Sequence, residues 1–273
     1  MSSAAAEAFR RWVREDAPAL PIARFRMAFG AIWLAYDILD LAYSGTARIH
    51  DWIAAAAPSG LVGLQLGLIA CEILMVVGAP LGLVMPATAL AAVLRAVEWH
   101  EYLRLNDFAY FAVTAVILAH ARPRGGLFRR VPPDERIPRW PRDVLVLQAA
   151  WIYFATGLMK MNSTWLSGRH LYVRMQYLRT GLGWHFPGVM NRCADSLTCD
   201  ATLATLGIAG ELTLAALLVF RPRRWLVTPL VVGIHTFGAF ATNVWFFGPS
   251  LIAQVFFLTD PTFARRKPLP RED

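Results

Sequence analysis

Apolar residues in this chain come in long runs separated by short polar crossings, and the runs predict helices at roughly 21–43, 60–78, 81–99, 105–121, 142–161, 200–220, 225–243 and 246–259. Pro21 opens the first run, Gly78, Ala79 and Pro80 make a tight turn after the second, and Gly248 and Pro249 interrupt the short last one. Residues 44–59 form a polar crossing with Trp52 and a turn at Pro58, Ser59 and Gly60. Ahead of the first run, Phe9, Trp12 and Val13 face Arg10, Arg11, Arg14, Glu15 and Asp16, the pattern of a short amphipathic helix anchored in a membrane interface. Residues 122–142 hold five prolines and seven arginines and are expected to be a solvated, extended loop. The crossing from 162 to 199 begins with Leu171, Met175, Leu178 and Leu182 at 4-3-4 spacing, which predicts a helix lying in the interface.

Composition turns these runs into membrane spans. A chain that is 56% hydrophobic and 17% charged, with mean hydropathy +0.43, is expected to be an all-α, polytopic membrane protein rather than a soluble domain. Three parts follow: the amphipathic helix at 1–19, a transmembrane domain at 20–260 and a basic tail at 261–273. The first residues lack a positive stretch followed by an apolar core, so the first span itself is expected to direct insertion. In a soluble protein the net charge of +8 would suggest nucleic acid. Here its distribution sets topology and attracts anionic lipid head groups instead. With eight spans and a cytoplasmic N-terminus, the inner segments carry seventeen of the 27 basic residues and the outer crossings six. The positive-inside rule therefore predicts that both termini are cytoplasmic, in a multi-pass protein of the cell (inner) membrane.

Ionisable side chains at membrane depth are costly and mark candidate sites. In the predicted spans they are Asp37, Asp40, Glu72, Arg95, Glu98, His100, Lys160, Glu211 and His235. Arg95 is expected to pair with Glu72 or Glu211 in a structural ion pair. Lys160 stands apart, because the chain has only one other lysine, Lys267 in the tail, and uses arginine for every other basic position. Arginine stays charged in proteins, whereas a desolvated lysine can release its proton and act as a base. Helical spacing puts Tyr153, Thr156 and Gly157 on the face of Lys160, a polar face with room beside the glycine. The outer ends of the third and fifth spans lie on one side of the membrane, so His100 and Lys160 can share a site, with His235 near the middle of the seventh span.

Cys193 and Cys199 lie on the non-cytoplasmic side and can form a disulfide, whereas Cys71 falls within a span as a small apolar residue. The sequence has no phosphate-binding glycine loop, no metal signature and no nucleophile elbow, so no metal is expected.

Tyr153, Phe154, Gly157, Leu158, Lys160, Trp165 and Gly168 together resemble the Y-F-x-A-G-L-x-K-L-x-x-x-W-x-x-G motif of HTTM-domain membrane proteins, the family that includes vitamin K-dependent gamma-carboxylase. His100, Tyr102 and Leu103 are similar to the family's H-x-Y-L segment, Glu211 to an acidic residue in the sixth span, and Ile234 and His235 to its penultimate helix. Arg26 and Gly30 resemble its first-span R-x-x-x-G pattern. The resemblance runs from about residue 20 to 260. It implies Lys160 as the base that deprotonates a vitamin K or menaquinol-type quinol on the non-cytoplasmic side, with His100 and His235 as helpers. It also implies a pocket drawn from Tyr153, Thr156, Gly157, Asn162, Trp165, Arg95 and Glu211. The carboxylase continues into a large lumenal region that binds its protein substrate, whereas this chain ends about thirteen residues after its last predicted span, which points away from protein carboxylation. A short branch of the same superfamily helps mature sporulation-delaying-type peptide toxins. Similarity to it implies the alternative of an accessory membrane protein whose partner is a secreted peptide.

Overall fold

The computed structural model describes residues 3–44, 59–79, 81–98, 105–181, 183, 186, 188–220, 223–242 and 247–259. Among them are twelve helices and one two-stranded sheet, so the chain is all-α in class. The helices are α1 (Ser3–Arg14), α2 (Leu20–Ser44), α3 (Ser59–Val77), α4 (Leu81–Glu98), α5 (Leu105–Ala121), α6 (Trp140–Met159), α7 (Ser163–Leu166), α8 (Arg169–Gly181), α9 (Gly188–Cys193), α10 (Leu197–Phe220), α11 (Arg224–Thr242) and α12 (Phe247–Leu258). Helices occupy all eight stretches predicted from the apolar runs. Eight crossings are not thereby shown: among the described residues α10 alone is long and apolar enough to cross a membrane. Four shorter apolar stretches lie in α3, α4, α5 and α12.

The chain divides into two compact units, Met1–Leu145 with Phe263–Asp273, and Val146–Thr262. In the first unit α2 packs closely on α3, because Gly30 leaves room that a Cβ would contest with Met75 and Val76 at 3.2 Å. Phe25, Phe29, Trp33 and Phe111 are buried there, with the rings of Phe29 and Phe111 stacked 5.1 Å apart.

The loop expected to be solvated and extended is exposed at 127–130 and 132–134, but part of it is paired. Its residues Arg136–Pro138 form β2, antiparallel to β1 (Asp16–Pro18), with Ala17 opposite Ile137. Arg139 meets Glu15 at 2.7 Å and Asp143 at 3.0 Å, and Trp12 Nε1 donates to Asp143 at 3.1 Å. So α1 is tied to the rest of the first unit through its indole. The physical reason is that β1 and β2 offer each other backbone hydrogen-bond groups that a loop would leave to water.

In the second unit, three residues of the predicted stripe, Leu171, Met175 and Leu178, lie on α8 and are buried against Phe186 and Ala194, while Leu182 lies outside the described residues. Arg179 clamps the same segment through two hydrogen bonds to Asp195, at 3.0 and 2.6 Å. Cys193 and Cys199 are joined by a disulfide.

Candidate functional site

The second unit brings together side chains from α6, α7, α10 and α11. Lys160 follows the last residue of α6, its amide donating to Thr156 O at 3.2 Å. The chain then turns sharply, and Asn162 caps α7: its Oδ1 accepts from the amides of Thr164 and Trp165 at 3.1 and 3.2 Å, and its Nδ2 donates to Met159 O at 2.8 Å. Asn162 therefore uses its side chain on the turn, where it satisfies otherwise orphaned amides. That turn sets Trp165 with its ring centroid 5.3 Å from Lys160 Nζ, within cation–π range. The indole also stacks on His170, 4.3 Å away and tilted by 22°. Between them Gly168 has φ +75°, and a Cβ there would run into the backbone of Asp200 and Ala201. Only glycine serves at this position, both for its conformation and for the close approach of α10.

Gly157 makes the second close approach. A Cβ at this position would lie 2.9 Å from Leu212 Cδ2 and 3.6 Å from Glu211 Cβ, so the room expected beside the glycine is already filled by α10. Its consequence is the central contact of the site: Glu211 Oε1 lies 2.5 Å from Lys160 Nζ. The glutamate side chain is 9% exposed and the lysine 29%. A salt bridge this short and this sheltered is a charge-assisted hydrogen bond. Glu211 Oε2 has no hydrogen-bond partner among the described residues.

Two turns before Lys160, the buried Tyr153 hydroxyl shares a 2.7 Å hydrogen bond with His235 Nε2 on α11. Gly248 of α12 backs that imidazole closely, since a Cβ there would stand 3.0 Å from Nδ1. Thr156 turns inward on its own helix, donating its hydroxyl proton to Ile152 O at 2.8 Å, which leaves its oxygen an acceptor only.

Of the residues singled out from sequence, Lys160, Glu211, Tyr153, His235, Trp165, Gly157, Thr156 and Asn162 thus fall in one unit, in two hydrogen-bonded pairs with their supports. Glu211 pairs with Lys160, whereas the expected pairing of Arg95 with Glu72 or Glu211 falls on a side chain outside the described residues. The side chain of Arg95, on α4, and the whole of His100 lie outside the described residues. Two residues were missed. His170 carries no spacing signal, because its partner Trp165 lies across an irregular turn. Asp200 is fully buried, and neither carboxylate oxygen has a hydrogen-bond partner among the described residues. Its signal was present: residues 200, 204, 208 and 211 share one face of α10, so Asp200 is in phase with Glu211.

Outside the helices that cross or line the site, Arg179 holds the Asp195 carboxyl below the usual carboxylate range through its hydrogen bonds. Among the described residues there is no cluster of three or more histidine, cysteine, aspartate or glutamate side chains arranged to hold a metal ion. Chemically, the site offers an amine coupled to a carboxylate beside an indole face, and a phenol coupled to an imidazole. That is acid–base equipment.

The profile of the HTTM domain matches residues 72–262, a stretch that contains both pairs. No match was found among the curated proteins or among the solved structures.

Proposed function

Because the chain belongs to the HTTM-domain family, the domain found in vitamin K-dependent gamma-carboxylase-like proteins, we propose that it is a multi-pass membrane enzyme in which Lys160 is the general base toward a lipid-soluble, quinol-type cosubstrate. The observation that carries this reading is the Lys160–Glu211 pair at 2.5 Å, flanked by the Trp165 ring. A base must be a neutral amine. Passing the shared proton from Nζ to Oε1 of Glu211 leaves that amine within the pair and creates no net charge at depth. The amine then takes the hydroxyl proton of the cosubstrate, and the carboxyl, which already holds the proton taken from Nζ, releases that proton onward to restore the ion pair.

An apolar ring bearing an acidic hydroxyl suits these residues. Trp165 supplies a flat face, and the unpartnered Oε2 of Glu211 supplies an acceptor. Tyr153 and His235 would hold the second polar end of such a molecule or relay its proton. A multi-pass topology with eight spans, both termini cytoplasmic, rests on the apolar runs and the distribution of basic residues, and a lipid setting is supported by large exposed apolar side chains along the helices. Leu83 and Leu90 on α4 are 82% and 61% exposed, and Leu206 on α10 is 63% exposed. Such side chains suit lipid better than water.

The test is oxygen uptake by the purified protein in nanodiscs supplied with a reduced naphthoquinone. Wild type is expected to consume oxygen, and Lys160→Arg to be inactive although folded and inserted, because arginine keeps the charge but does not act as a base. Full activity of Lys160→Arg would remove the enzyme reading.

A second reading, an accessory protein for maturation of a secreted peptide, is favoured by the disulfide-closed segment under α8, a rigid surface on the non-cytoplasmic side of the proposed topology. On that reading Lys160→Arg leaves peptide maturation in cells unchanged, while Cys193→Ser reduces it.

A further inference from the structure

Residues 122–131, which leave α5, fold into a tight turn in which Gly126 N donates to Arg129 O at 2.8 Å and Arg129 N to Gly126 O at 3.2 Å. Its tip carries Leu127 and Phe128, 62% and 85% exposed, between exposed Arg122 and Arg124 on one side and exposed Arg129 and Arg130 on the other. The turn is held firmly. Fully buried Arg26 of α2 donates Nη1 to Pro123 O at 2.9 Å and Nη2 to Gly125 O at 2.6 Å. Leu127 N donates to Val76 O at 2.9 Å, next to the last residue of α3, and Gly126 lies so close to Val77 that a Cβ would collide with its backbone. The tip is therefore pinned at the level where α3 and α5 end.

A leucine and a phenylalanine fixed outward in water are unfavourable, and neither chain flexibility nor a neighbouring helix hides them. Through β2 and β1 the same region carries α1, which exposes Phe9 beside Arg10, Arg11 and Arg14. The apolar tips are points rather than a groove, and the charged side chains within residues 122–131 are all arginines, with Glu135 at the base of the turn, where its Oε1 accepts from Arg124 N at 2.8 Å. Both features fit a planar anionic surface at the depth of the helix ends.

We propose that residues 125–130 form a membrane-docking tip: Leu127 and Phe128 enter the head-group layer of the cytoplasmic leaflet, and Arg122, Arg124, Arg129 and Arg130 bind the phosphates of anionic lipids. This rests on the membrane-spanning topology proposed above.

The test uses full-length protein with Cys71→Ser, spin-labelled at Phe128→Cys and, as a control, at Asp134→Cys, in nanodiscs containing phosphatidylglycerol. Accessibility to oxygen relative to a soluble nickel chelate is read at each position. The ratio at 128 is expected to be several-fold higher than at 134, and to fall when phosphatidylcholine replaces phosphatidylglycerol or when Arg129→Gln and Arg130→Gln are introduced. Equal ratios at 128 and 134 in protein that floats with lipid overturn the docking tip while leaving the spanning topology intact. Shielding of 128 from both reagents means contact with protein and also overturns it, and a ratio indifferent to lipid charge overturns the anionic-lipid part. Protein that fails to float with lipid defeats the topology and the docking tip together.

Discussion

Replacing Lys160 with methionine keeps the unbranched stem as far as Cε and removes the ammonium with its charge, which leaves Glu211 9% exposed and without its 2.5 Å partner. Breaking one side of a fully buried pair costs about 3–5 kcal/mol. The lysine is 29% exposed, so water compensates part of this, and a loss of about 2–3 kcal/mol is expected for Lys160→Met. Glu211→Leu alone strands the lysine and should cost less, because the longer side chain can turn its ammonium toward solvent. In the double variant neither charge remains to be stranded, so its cost should fall short of the sum of the singles by about 1–3 kcal/mol. The four proteins can be compared by titration with denaturing detergent, followed by tryptophan fluorescence. Additivity within about 0.5 kcal/mol would mean that the two groups do not interact, and the account of the site would fail.

Gly157→Ala should cost about 1–3 kcal/mol, because the new methyl stands 2.9 Å from Leu212, and Leu212→Ala in the same chain should recover part of the loss in the same titration. Tyr153→Phe strips His235 Nε2 of its 2.7 Å partner, and a loss of about 1–2 kcal/mol is expected by thermal unfolding. Asp195→Asn probes the clamp on α8. Arg179 depresses the folded-state ionisation of Asp195, so the clamp's contribution is complete above the unfolded aspartate value of about 3.9 and is lost as pH falls through the lower folded value. Hydrogen exchange of residues 176–195 should then be faster in the variant at pH 7, and wild type and variant should converge in strong acid.

The helices were legible in the sequence because burial and lipid both reward long apolar runs. The helix expected at 105–121 is α5 as observed, the other seven apolar-run helices differ by three residues or fewer at either end, and α1 stops at Arg14, short of the expected 1–19. What escaped was pairing over long sequence distances. Nothing local marks Asp16–Pro18 and Arg136–Pro138 as strands, since three residues show no period and their hydrogen bonds depend on where α2 and α5 bring their ends. Lys160 stood out by residue type, but its partner did not: Arg95 and Lys160 are both candidates for Glu211 in sequence, and it is the absent side chain of Gly157 that lets α10 deliver Glu211 to the lysine. Thr156 and Asn162 share the lysine's neighbourhood, yet their side chains satisfy local backbone groups, as threonine and asparagine commonly do near helix ends.

The most direct test of Lys160 as a base separates its transferable proton from its charge. Lys160→Cys, in a Cys71→Ser background, can be alkylated with bromoethylamine to restore a primary amine at nearly the original length, or with the trimethylammonium analogue to restore a charge that has no proton to exchange. Turnover of a reduced naphthoquinone, measured as oxygen uptake in nanodiscs, should be lost in the cysteine variant, return with the primary amine and stay absent with the trimethylammonium group. Equal recovery with both groups would contradict the account, for it would mean that the site needs only a positive charge beside Glu211.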